Sequence, residues 1–171
     1  HDEAGGSTFC PSCGEAVITM AYNYANPETP MLEEDVIKFA VEEGLFTERR
    51  WPFTSPEDMV EIASHYAPGV RTGNVTTQEE GLALLVEQLR EGEPVIIDVL
   101  VRMYDPDSAP HFILVTGISV DPKKGTVIHY NDPLSGKAWA TRWEGNEGVW
   151  HAWKTNSDPG GSGWWLVIPP P

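Results

Sequence analysis

Gly92-Glu-Pro-Val-Ile-Ile-Asp-Val-Leu-Val101 is where the chain changes its rhythm. Gly92 closes a segment in which Leu82, Leu85, Val86 and Leu89 recur at helical spacing. Pro94–Val101 then opens a β-branched run, bounded by the turn-rich stretch Tyr104–Pro110. Upstream the apolar spacing is helical. Val17, Met20, Ala21 and Tyr24 form one face; Val36, Phe39 and Ala40 form another within Leu32–Glu43, which stops at Gly44. A third helix opens at Ser55-Pro56 and buries Met59, Ile62, Ala63 and Tyr66; Ser is a good N-cap and Pro is tolerated at the first helical position. Ser12 to Glu15 and Thr77 to Glu80 both have the spacing of a capping box. Downstream, His111–Val120, Gly125–Asn131 and Lys137–Trp143 read as strands separated by Asp, Pro and Gly signals. Trp150–Lys154 reads as a short helix, and Trp164–Ile168 as a last strand after Gly161–Gly163. Helices first and strands second predict an α+β fold, with N-terminal helices packed on a C-terminal antiparallel sheet. With no internal repeat and no linker, residues 1–171 are expected to form one domain.

Composition narrows the function. The 40% hydrophobic fraction of the 171 residues can fill one core. Lys and Arg number 11 against 26 Asp and Glu, a formal net charge of −15, so no basic stripe is present to neutralise nucleic-acid phosphates or an anionic membrane. No apolar run is long enough to span a bilayer. The opening His1-Asp-Glu-Ala-Gly-Gly-Ser has no initiator Met and reads as a mature or trimmed terminus. A secreted or cell-surface protein is expected, with the cytoplasm as the alternative. The two cysteines, Cys10 and Cys13, form no disulfide framework of the kind that staples small secreted domains, though they are close enough in sequence to bridge. A single C-x-x-C pair lacks the remaining ligands for zinc, and Asp105-Pro-Asp107 lacks the oxygens for a calcium loop and reads as a solvated turn. No metal and no cofactor are expected. A thioredoxin-like reading of Cys10-Pro-Ser-Cys13 fails because a strand and a helix should precede the motif.

A thiol reacts as its thiolate, which a helix N-terminus stabilises through unpaired N–H groups and the macrodipole. Cys13 stands in such a first turn, and Gly14 leaves room for a substrate backbone. Glu15 works against this by bringing a negative charge into the same turn. The plainer reading of Cys13 alone is a small buried hydrophobe. A nucleophile needs a base, and the base an orienter. Of the five histidines, His111 alone stands at a loop-to-strand junction, after Ala109-Pro110 and before an apolar run. One strand later, Tyr130-Asn-Asp-Pro133 offers Asp132, or Asn131, to fix the imidazole tautomer. An Asp before Pro is by itself an ordinary turn residue. The three in this order point to thiol catalysis.

That order carries a resemblance. Cys13-Gly-Glu-Ala-Val-Ile-Thr-Met-Ala-Tyr-Asn-Tyr24 resembles the nucleophile helix of the bacteriocin-processing, double-glycine-leader cysteine peptidases and their stand-alone relatives. Gly92-Glu-Pro-Val-Ile-Ile97, His111-Phe-Ile-Leu-Val-Thr-Gly117 and Asn131-Asp-Pro133 resemble the strand before the catalytic His, the His strand and the acidic turn. Trp153 and Trp164–Ile168 match in style, so the resemblance covers roughly residues 10–168. It implies a papain-like fold and a cysteine peptidase with Cys13 as nucleophile, His111 as base and acid, and Asp132 as orienter. A peptide or protein would be the substrate. Two departures stand out. Glu15 replaces the family's usual Pro, and no Gln precedes Cys13 to complete the oxyanion hole. Ser7 is nearest to that Gln's position, and losing one such donor costs on the order of 100- to 1000-fold in turnover. The rival expectation is a catalytically weak papain-like domain that binds peptides or transfers acyl groups from a carrier protein.

Overall fold

A computed structural model describes residues 12–45 and 54–171. Three helices come first: α1 (Cys13–Ala25), α2 (Glu33–Glu42) and α3 (Pro56–Tyr66). They form where the apolar spacing places them. Ser55 caps α3 by accepting the Asp58 N–H at 3.1 Å, with Pro56 at the first position. Val17, Ile18, Ala21, Val36, Ala40, Met59, Ile62 and Ala63 interlock beneath Ile96, Phe112, Leu114, Trp164 and Leu166 of the sheet.

Among the described residues the sheet has six strands in the order β1-β6-β2-β3-β4-β5: Arg71–Asn74, Trp164–Val167, Val95–Leu100, Pro110–Asp121, Gly125–Asp132 and Lys137–Arg142. Every adjacent pair is antiparallel. This is the α+β, papain-like architecture expected of helices followed by strands.

Two features add to that expectation. The N-terminal helices do not all lie on one face. Helix α4 (Gln78–Arg90) joins α5 (Val149–Thr155) on the opposite face, where Leu85, Trp143, Trp150 and Trp153 pack against Val95, Ile97, Val99, Ile113 and Val115. The central strands are therefore buried on both sides, which is why Val95–Leu100 reads as an apolar run broken only at Asp98. The second is β1, a strand formed from Arg71-Thr-Gly-Asn74, which carries no apolar alternation and, among the described residues, pairs only with β6. Arg71 is held there by the carboxylate of Glu93 and by Gln88 Oε1 at 2.8 Å.

No helix among the described residues is long and apolar enough to cross a membrane.

Candidate active site

Cys13 is the first residue of α1 and is buried. Helix α1 packs against β2 and β3, the strands that lead into and out of the loop before His111. The capping box expected at Ser12 does not form: Ser12 makes no side-chain cap, and Glu15 turns inward instead of back towards it. Glu15 is fully buried and accepts a 2.5 Å hydrogen bond from the Thr54 hydroxyl, just ahead of α3. Burial pushes its carboxyl above the usual range, against the opposing pull of the Thr54 bond. The negative charge that the sequence sets beside Cys13 is thereby weakened.

Cys13 is disulfide-bonded. The chain's other cysteine, Cys10, and the oxyanion candidate Ser7 lie outside the described residues.

His111 is the second residue of β3, opposite Val99 of β2, and is buried. Asp132 ends β4. The two side chains meet, with Nε2 of His111 2.7 Å from Oδ1 of Asp132. The Leu134 N–H also donates to that oxygen at 2.9 Å, so Asp132 keeps its turn-forming role while it holds the ring. Burial alone would push the Asp132 carboxyl up. The His111 hydrogen bond and charge, with the backbone N–H groups of Leu134 and Ser135, outweigh it and hold the group below the ordinary aspartate value. An ionised carboxylate cannot donate, so the shared proton belongs to Nε2, and whenever the ring is neutral Nδ1 carries the lone pair. Asn131, the alternative orienter, pairs with Leu114 in the sheet and makes no such contact with the ring.

Two of the other described histidines have partners of their own. His65 stacks on Phe39 with ring centroids 3.8 Å apart, and His129 Nε2 lies 2.7 Å from the Ser119 hydroxyl. Asp105 and Asp107 form a closed turn: Asp105 takes Arg102 at 3.0 Å and the Asp107 N–H at 3.0 Å.

Sequence reasoning passed over three polar residues beside this site. Asp98, Asn156 and Asp158 are all buried where β2 meets the turn between α5 and β6. A signal was present, because a lone Asp inside an apolar run is almost never buried without a partner.

A family model described as the peptidase C39-like family matches residues 11–158, and the chain belongs to that family. The fold is that of a crystal structure of a Bacillus anthracis protein described as a C39-like peptidase. The match has a TM-score of 0.62 at 13% identity, over 95% of this chain and 91% of that one. No protein of curated function matches. The family supports cysteine peptidase activity.

Proposed function

We propose that the chain is a single-domain, thiol-dependent peptidase using Cys13, His111 and Asp132. The observation that carries this is the 2.7 Å His111–Asp132 bond, which leaves Nδ1 as the basic nitrogen in a chain whose nucleophile candidate opens a helix. Nδ1 takes the Cys13 thiol proton, and the thiolate adds to the scissile carbonyl carbon. The resulting oxyanion is held by the Cys13 backbone N–H and, in this reading, by Ser7. Collapse of the tetrahedral intermediate expels the amine, which receives the proton from His111, and leaves a thioester. Water, deprotonated by the same ring, then releases the acid and regenerates the thiol.

The disulfide at Cys13 makes reduction a precondition, since a bonded sulfur is no nucleophile. It also favours a secreted or cell-surface setting, where such bonds persist. Peptides are the proposed substrates, and the bacteriocin-processing subtype is the finer form of this reading. The absence of a Gln among residues 1–12 favours a second reading, a peptide-binding or acyl-transferring relative of low hydrolytic activity. The deciding measurement is hydrolysis of a peptide library by fully reduced protein, followed by mass spectrometry. Cleavage lost in Cys13→Ala supports the peptidase. No Cys13-dependent cleavage of peptide or thioester sinks it in favour of the binding module.

A further inference from the structure

Strand β2 carries one charged residue, Asp98, which is wholly shielded from water. Its two carboxyl oxygens and both carboxyl oxygens of Asp158 lie in the interior with no hydrogen-bond donor from any other side chain. Asp98 Oδ2 and Asp158 Cβ lie 2.5 and 2.8 Å from the position a Cβ on Gly161 would take, which sets the two carboxyls side by side. A buried carboxylate without a donor costs several kcal/mol, and two facing each other cost more.

The surroundings are built to hold this pair. Asn156 Nδ2 reaches the backbone oxygens of Asp98, Trp153 and Gly161 at 3.0, 2.8 and 2.9 Å, while its Oδ1 accepts the Asp158 N–H at 3.1 Å. Gly161 supplies the space: a Cβ there would collide with Asn156 Oδ1 and Asp98 Oδ2. The Asp98 carboxyl and the Asp158 Cβ are thus pressed against a bare Cα. A hard divalent cation would require six or more oxygens. Among the described residues no cluster of three His, Cys, Asp or Glu is placed to hold a metal. A proton asks for neither room nor further ligands.

We infer that Asp98 and Asp158 hold one proton between them at neutral pH, and that this proton latches the turn between α5 and β6 onto β2 beside His111. The charge acting on Asp98 comes from Asp158. On β3, the backbone N–H of His111 is the one opposing influence, and that residue's ring is occupied by Asp132. From α5 and the turn come Asn156, which is neutral, and the apolar Trp153. With the proton present, one carboxyl donates to the other. With it removed, two buried anions repel and the turn loses its hold on β2. The latch does not depend on the peptidase reading.

The sign is fixed by the burial. Folding holds the proton more tightly than the unfolded chain does, so the latch is intact below the ordinary aspartate range and weakens as pH rises through the pair's raised titration. Glu15 is the other buried acid among the described residues, so the test uses Glu15→Gln protein, which removes its contribution. Infrared spectra of the folded variant at neutral pH should show a protonated-carboxyl C=O band, and its Tm should fall from neutral to alkaline pH. Adding Asp98→Asn, whose amide donates permanently to Asp158, should abolish the band and flatten that fall. Should Asp98→Asn fail to fold, the band in the Glu15→Gln chain still decides. Its absence at neutral pH overturns the latch. So does an undiminished fall of Tm in the Asp98→Asn chain. A rise in Tm with added Ca²⁺, together with loss of the band, would show an ion in place of the proton.

Discussion

His111 Nε2 points at Asp132 Oδ1 across 2.7 Å, and the bond joins the start of β3 to the end of β4. It does two things at once. It fixes the ring plane, and it assigns the proton to Nε2, so that Nδ1 is the nitrogen left for chemistry.

Replacing Asp132 with Asn should therefore leave the fold but remove the negative charge that stabilises the imidazolium. Turnover of a peptide by reduced protein is expected to drop about 100- to 10,000-fold, with the loss in kcat and not in KM. Unchanged kcat in a folded variant would take Asp132 out of the mechanism.

The same pair makes an acid-side prediction. Asp132 is held below its ordinary value, so its contribution to stability is present above the unfolded-state range and is lost as pH falls through the lowered folded-state value. Melting curves followed downward from neutral pH should show this loss in the parent. Asp132→Ala should be less stable at neutral pH, and the gap to the parent should narrow as the pH drops.

Cys13 is disulfide-bonded, so oxidised protein should resist iodoacetamide at that residue and hydrolyse nothing. Reduction should restore both labelling and turnover, and His111→Ala should slow the labelling of the reduced thiol. Peptide cleavage by protein shown by mass spectrometry to be fully oxidised would contradict this.

Glu15 gives an alkaline-side prediction. Burial raises it, so the stability it retains when protonated is lost as pH rises through its folded-state value. Glu15→Gln keeps an acceptor for Thr54 without the titration. Its Tm should exceed the parent's at alkaline pH and converge with it at acidic pH; parallel curves would show that Glu15 does not titrate in the fold.

Packing can be tested apart from chemistry. Trp153 is fully buried and donates from Nε1 to the Trp164 carbonyl at 2.8 Å. Trp153→Ala should cost about 3–5 kcal/mol by denaturant titration. Trp139, half-exposed on the outer strand β5, should tolerate the same change within about 0.5 kcal/mol.

Much of this was legible because local rules and tertiary packing agree. The α3 cap, the largely apolar run of β2 and the pairing of His111 with the acidic turn all follow from residue type and spacing. What escaped depends on partners distant in sequence. Glu15 has capping-box spacing, but Thr54, 39 residues away, offers a better use for its carboxylate once α1 is buried. Arg71-Thr-Gly-Asn74 has no strand pattern of its own and is extended because β6 presents a free edge. Asp98 looks like a flaw in an apolar strand until Asp158 arrives from the turn before β6.

Strand β6 sits inside the sheet, between β1 and β2, although it follows the sheet's five other strands in sequence. Until Trp164–Val167 emerges, β1 has no partner and one edge of β2 stands open. Every element bearing Cys13, His111 and Asp132 has by then been synthesised, yet the layer that supports them is incomplete. A nascent chain of this protein would thus carry its chemical groups well before it carries a finished scaffold. Closure of this sheet is timed by translation of β6.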